Sequence, residues 1–427
     1  MRRTPKALAA AVAGAVVLAA CGGGSTDTGS AAAPPPSATP TGADVKTGPG
    51  ITADTITLGV LTDLSGPFKE LSTAMQAGHK IWMDEINAKG GVCGRKIAIQ
   101  TMDHGYKADQ AKIEFPDIEP KVAGFLELLG SPVIAALKAD INDKQVTTMA
   151  YSWSSQLLDQ PYVTIVGTTY DLEMIDGLDY LLDNGKLKKG DKIGHIYVDG
   201  EYGGNGLLGS KYFAAQHGMT VVEGKVTATD TDLRSIVTNF KGEGIKALAL
   251  TTTPTQAASA ASNNAALGLN VPMIGNNPVF ATALLDGPAA AALDGKLTVA
   301  QSAVPFSSTI PKAQELAATY AKQYPDGKPN YTVGFGYALG EIWAQVLEKA
   351  CAAKDLTRAG LHAALTGLTK VNTDNLVADL DFSKPGRPAS RQVYIAVVDK
   401  TTPGGLKQLQ DLKEYSDAVT YKAPYQS

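Results

Sequence analysis

Several things are scarce in this sequence, and each scarcity narrows what the protein does. No basic cluster interrupts a chain of 38 Lys and Arg against 42 Asp and Glu, with a formal charge of −4, which argues against nucleic acid as a partner. The five histidines, His79, His104, His195, His217 and His362, are scattered, with no two at ligand spacing on one helix, so no metal centre is expected. No Gly-x-Ser-x-Gly elbow occurs, nor any pattern joining a nucleophile, a base and an orienting group. The expectation is therefore a protein that is not an enzyme, with an extracellular hydrolase of convergent design as the distant alternative. The apolar run 7–20 has fourteen residues, too few to cross a hydrocarbon core as a permanent helix.

That run is instead the middle of a secretory signal. Arg2, Arg3 and Lys6 precede it and small residues follow it. The sequence Leu18-Ala19-Ala20-Cys21-Gly22 resembles the lipobox of bacterial lipoproteins, in which the cysteine is diacylated and the preceding peptide removed. Residues 1–20 then read as a lipoprotein signal peptide and Cys21 as the anchor, since two acyl chains hold a protein stably at a membrane surface. After Cys21, residues 22–50 are almost all Gly, Ser, Thr, Ala and Pro, with no apolar periodicity, so 21–50 reads as the lipidated cysteine and a disordered tether. Of the three cysteines this leaves Cys93 and Cys351, which in an oxidising compartment are candidates for a disulfide; the alternative is two buried thiols.

The stretch 51–427 is too long for one core and suits two lobes. Short β-branched runs at 56–61, 96–101, 122–128, 146–150, 192–198, 219–226, 247–251 and 272–275 alternate with helical segments. This is the pattern of a parallel sheet flanked by helices. In such α/β sheets ligands sit beyond the carboxyl ends of strands, at the amino ends of the following helices. Four strand exits are equipped for that: Asp63-Leu64-Ser65-Gly66-Pro67, Leu129-Gly130-Ser131-Pro132, Tyr151-Ser152-Trp153-Ser154 and Asp199-Gly200-Glu201-Tyr202-Gly203. Ser131 before Pro132 caps a helix whose free N–H groups and dipole favour an anion, or caps it with nothing bound.

One pattern points elsewhere. Gly204-x-Gly206-x-x-Gly209 follows a strand and precedes Glu223 at the distance of a ribose-binding acid, as in a dinucleotide fingerprint. It begins several residues past the strand's end, so no cofactor is expected. The phosphate-loop reading of the same glycines fails because Ser210-Lys211 reverses the required order.

Three segments, 56–68 (ITLGVLTDLSGPF), 84–97 (DEINAKGGVCGRKI) and 196–206 (IYVDGEYGGNG), resemble the leucine/isoleucine/valine-binding protein family of ABC importers. The resemblance runs from 51 to the end. It implies two Rossmann-like α/β lobes with parallel central sheets, 51–170 plus 300–377 and 171–299 plus 378–427. Three crossover strands, at 164–168, 297–303 and 378–382, would join them. It implies a monomer that closes on a small-molecule solute without cofactor or catalysis. ABC permease and ATPase subunits would be its partners at the outer face of the cytoplasmic membrane or in the periplasm. A ligand-sensing receptor built on the same clamp is the alternative.

By motif position the family's carboxylate-binding serine corresponds to Ser131, its donors after the fourth strand to Ser152 and Ser154, its second-lobe tyrosine to Tyr202, and the polar residue opening that lobe to Asp171. Ser65 and Thr252 stand at two further strand exits, and Tyr151, Trp153, Tyr170 and Phe280 are candidate walls. Where the family's amino-acid binders carry an acid this chain has Asn277, and where they carry an early tryptophan it has Leu71. Two readings of the solute follow. Either Asp171 or Glu201 supplies the charge that a branched-chain amino acid needs, or the solute is a small amide or a carboxylate without an amine.

Overall fold

The computed structural model describes residues 45–426; the signal segment, Cys21 and most of the tether lie outside them. Val45 is buried and Lys46–Thr47 forms a short strand, β1, so the last residues of the segment that composition assigns to the tether are structured.

The first lobe starts with β2 (Thr55–Thr62), α1 (Lys69–Ala88), β3 (Lys96–Asp103), α2 (Ala108–Ile118), β4 (Phe125–Leu129), α3 (Ser131–Lys144), β5 (Thr148–Tyr151) and β6 (Val163–Ile165). These strands make a parallel sheet in the order β3-β2-β4-β5-β6. The strand expected at 122–128 begins only at Phe125, because Val122 N–H closes a turn onto Glu119 O at 3.4 Å.

The second lobe runs α4 (Tyr170–Asp183), β7 (Lys192–Val198), α5 (Glu201–Gln216), β8 (Thr220–Val226), α6 (Arg234–Glu243), β9 (Ala247–Thr251), α7 (Pro254–Ala266), β10 (Met273–Asn276), α8 (Ala290–Leu293) and β11 (Leu297–Gln301). The chain then returns to the first lobe for α9 (Pro311–Gln323), α10 (Thr332–Ala352), β12 (Asp355–Leu356) and α11 (Arg358–Thr366). It ends in the second lobe with β13 (Val393–Val398), β14 (Leu406–Lys413) and α12 (Ser416–Thr420). The second sheet has the order β14-β13-β11-β10-β9-β7-β8. It is parallel from β7 to β11, while β13 and β14, absent from the sequence reading, add an antiparallel edge. Pairing of β1 with β12 ties residues 46–47 to the first lobe.

The third crossover expected at 378–382 is not a sheet strand. Leu380 exchanges both backbone hydrogen bonds with Val371, and Phe382 N–H bonds Leu368 O, so this stretch folds back onto its own lobe. The passage to β13 follows it, where Ser390 N–H bonds Gly167 O at 3.1 Å. Thr168 N–H bonds Ser302 Oγ at 3.2 Å, so the three passages between lobes lie against one another. Gly167 is required there: its φ is +111°, and a Cβ would stand 2.6 Å from the Ser302 side chain.

Cys93 and Cys351 are joined, Cα to Cα 6.2 Å apart, linking the loop before β3 to the end of α10. Among the described residues no helix is long and apolar enough to cross a membrane.

Candidate functional site

Four helices begin where the two lobes meet: α1 and α3 from the first, α4 and α5 from the second. The first N–H groups of any helix have no intrahelical partner, and its dipole is positive there. Gly130 makes the approach at α3 possible. Its φ is +104°, and a Cβ would press to 2.9 Å from the Tyr106 ring. Between these ends lies a small cavity of about 10 Å³, room for about one water, so a solute enters only when the lobes part.

The cavity's polar lining is almost wholly hydroxyl, from Ser131 and from Tyr106, Tyr151, Tyr170 and Tyr202, with apolar walls from Phe68, Leu129 and Pro278. None of these side chains is charged. Ser131 Oγ lies 2.6 Å from Ser152 Oγ, and the Tyr170 hydroxyl joins them, meeting the Trp153 backbone amide as well. Burial pushes the phenols of Tyr106, Tyr170 and Tyr202 up, so they stay protonated donors. Tyr202 donates to Thr252 O at 3.1 Å, and Tyr151 meets Tyr331 hydroxyl to hydroxyl at 3.4 Å. The rings of Tyr170 and Tyr202, centroids 4.8 Å apart, close the second-lobe side.

Of the residues singled out in sequence, Ser131 and Tyr202 line this cavity, with Ser152 directly behind Ser131. Ser154 is buried and caps a 3-10 turn, accepting from Gln156 N–H at 3.4 Å. Ser65 is exposed in the loop after β2, beside Asp103. Thr252 is buried, and its carbonyl rather than its hydroxyl meets Tyr202. Trp153 turns its Nε1–H to Val166 O at 2.8 Å, toward the crossover.

Asp171 and Asn277, the residues on which ligand charge turned, are both occupied. The Asp171 carboxylate accepts from Ser155 Oγ at 2.8 Å, Asn205 Nδ2 at 3.0 Å, Tyr421 OH at 2.9 Å, Leu172 N–H at 3.0 Å and, closest, Thr169 Oγ1. Asn277 donates from its amide to Glu173 Oε1 at 2.8 Å and from its backbone to Oε2 at 3.0 Å, and Ser302 Oγ adds a third donor at 2.9 Å. Burial raises Glu173 to about 8, so at neutral pH it is largely the neutral acid. No signal in the sequence marked Glu173, one turn into α4, because its partners come from 277 and 302. Tyr331 escaped notice for the same reason.

A second buried acid, Glu127 on β4, accepts from Thr62 Oγ1 at 2.5 Å and Gln76 Nε2 at 2.9 Å and is likewise pushed to about 8 by burial. His79 Nδ1 lies 3.7 Å away, but burial lowers that imidazole to about 3, so the pair is neutral and not a salt bridge.

The fingerprint glycines lie inside α5 and not in a loop between strand and helix. A Cβ on Gly206 would stand 2.2 Å from Thr251 Oγ1, and one on Gly209 2.2 Å from Asp171 O. They let α5 press against β9 and α4. The structure also gathers Asp179, His217 and Asp417, which the sequence separates. His217 Nε2 meets Asp417 Oδ2 at 2.5 Å, and Asp179 Oδ2 accepts from Ser416 Oγ at 3.1 Å and from the Asp417 backbone N–H at 3.2 Å, fastening α12 to α4.

A profile of the periplasmic binding protein family matches residues 55–403. The chain belongs to this family. The fatty acid ABC transporter substrate-binding protein from Thermomonospora curvata is 36% identical, with a TM-score of 0.87 over 90% of this chain and 98% of that one. A branched-chain amino acid ABC transporter protein from Thermus thermophilus with bound valine is 17% identical, with a TM-score of 0.75 over 86% of this chain and 99% of that one. A possible leucine/isoleucine/valine-binding protein from Rhodopirellula baltica is 19% identical, with a TM-score of 0.72 over 87% and 98%. The last two share the fold. As a periplasmic binding protein the chain is a solute-binding protein of ABC transport, and its relatives are binders rather than enzymes.

Proposed function

We propose that this periplasmic binding protein is the lipid-anchored capture component of an ABC importer, and that its solute is a carboxylate with an apolar body and no ammonium group. Residues 1–20 direct export and Cys21 carries the lipid. The monomer, divided between lobes at 51–170 plus 300–377 and 171–299 plus 378–427, closes on solute and presents it to permease and ATPase subunits.

The observation that carries this reading is the saturation of Asp171. An α-amino acid needs a free carboxylate for its ammonium, because a buried unpaired cation is costly. Asp171 already accepts five donors, Glu173 is filled by Asn277 and Ser302, and Glu201, half-buried at the start of α5, is not among the residues that line the cavity. The cavity lining holds no charged side chain, and its Ser131 and Tyr170 hydroxyls together with the free N–H groups at the α3 amino end donate to a carboxylate. Phe68, Leu129 and Pro278 suit an apolar remainder. The relative named for fatty acids is consistent, since a fatty acid is a carboxylate on an apolar chain.

Thermal unfolding with a panel of leucine, valine, butyrate, hexanoate and decanoate, each also as its amide where one exists, tests this. A carboxylate at a hundred times its Kd raises stability by about 2.7 kcal/mol, while the amino acids leave it unchanged. Tight binding of leucine or valine, or a panel without any shift, defeats the proposal.

A further inference from the structure

A second cavity, of about 560 Å³, lies on the outside of α1, between that helix and the end of α9. Its size falls in the range of small-molecule sites, roughly 300–1,000 Å³. Its floor is apolar: Ala74 and Ala77 of α1 are buried, and Tyr320 and Tyr324 stand with ring centroids 5.1 Å apart. Its rim carries three lysines against one Glu70. Two of the lysines are engaged, Lys80 with Asp84 at 2.8 Å and Lys328 with Asp286. Lys69 has no ion pair among the described residues and stands exposed at the first position of α1.

The groove takes one wall from each lobe. Thr282 and Ala283 belong to the second-lobe segment after β10, and the rest to the first lobe. Thr282 Oγ1 bonds Pro329 O at 2.8 Å and Lys328 bonds Asp286, so the groove is complete only while the lobes are together. A molecule held there has contacts in the closed state that the open state lacks, and it shifts the equilibrium toward closure.

We propose that this groove is a second binding site, for an amphipathic monoanion: the apolar chain lies on Ala74, Ala77, Tyr320 and Tyr324, and the anionic end pairs with Lys69. It is separate from the inner cavity, sharing no lining residue with it. Because it spans the lobes, its occupancy and that of the inner site strengthen each other, by the same factor in both directions.

Isothermal titration of the full folded chain with dodecanoate tests this, alongside Thr73→Trp, which fills the groove from an exposed position, Lys69→Glu, and Ser131→Val in the inner cavity. The expected result is two sites in the wild type. Thr73→Trp removes one, Lys69→Glu weakens that same one at least fivefold at low salt, and both persist as a single inner site in binding butyrate. Ser131→Val removes the other. A single wild-type site that Thr73→Trp and Lys69→Glu leave unchanged overturns the proposal, as does the absence of dodecanoate binding. Butyrate and hexanoate binding judges the inner-site reading independently of either outcome.

Discussion

Tyr421 and Asp171 stand 250 positions apart in sequence, yet the Tyr421 hydroxyl donates to Asp171 Oδ2 at 2.9 Å. The same carboxylate holds Ser155 of the first lobe and Asn205 of α5, so it joins both lobes to the C-terminal segment. This makes Asp171 a structural junction. A hydrogen bond to a charged group contributes about 1.5–3 kcal/mol. Tyr421→Phe is expected to lose that amount in urea unfolding while carboxylate affinity stays within twofold. A large affinity change with unaltered stability would instead mark Asp171 as a ligand contact.

Ser131 gives the converse case. Its hydroxyl lies against Ser152 at the rim of the cavity and supports no turn. Ser131→Ala is expected to weaken carboxylate binding about tenfold, equivalent to about 1.4 kcal/mol, with the melting temperature nearly unmoved. Calorimetric titration of both proteins checks it, and equal affinities would remove Ser131 from the site.

Glu173 makes stability depend on pH. Its carboxyl, ordinarily at 4.5, titrates near 8 in the fold because burial penalises the anion. The native state therefore holds its proton longer than the unfolded chain, and stability is highest below 4.5 and declines as pH rises through about 8. Glu127 acts in the same direction. Buried His79 and His195, held near 3, oppose this only up to the unfolded histidine value of 6.5, so melting temperature is expected to fall between pH 7 and pH 9, with a shallower slope in Glu173→Gln. An unchanged slope in that variant would contradict the assignment.

The Cys93–Cys351 bond closes a loop of 258 positions. On the chain-entropy model such a crosslink contributes about 5 kcal/mol by restricting the unfolded chain. Unfolding in reducing buffer should move to markedly lower denaturant, and Cys93→Ala with Cys351→Ala should behave the same in either buffer.

In an open helix, Gly→Ala stabilises by about 0.5–1 kcal/mol. At Gly206 the added carbon would meet Thr251 Oγ1 at 2.2 Å, and overpacking of this kind costs about 1–3 kcal/mol. The clash outweighs the propensity gain, so Gly206→Ala should destabilise. NAD should leave the melting temperature of both proteins unchanged; stabilisation by NAD would restore the fingerprint reading.

The order of strands and helices was readable along the chain because each element has its own period and its own terminal residues. The runs at 192–198 and 247–251 coincide with β7 and β9. Ser131 and Tyr202, which line the cavity, were legible as candidates because a polar residue at a strand exit is a local signal. Residues 378–382, a crossover strand by the resemblance, instead bond Val371 and Leu368 of their own lobe, a pairing that a match of other segments does not specify. The antiparallel edge of β13 and β14 depends on a return from the other lobe, which no local pattern records.

What the sequence determined by itself is the two-lobed α/β architecture and the helix amino ends at the strand exits, since backbone periodicity is settled within a few residues; the cap expected of Ser131 is not formed, because Gly130 takes the N-cap position and Ser131 opens the helix. What only the tertiary structure decided is which acids are free. Asp171 looked available beside its own neighbours, but donors reach it from 155, 205 and 421, and Asn277, where an acid was sought, spends its amide on Glu173, which Ser302 also bonds. A carboxylate's availability depends on how many donors reach it in space, and that is a property of the packed chain.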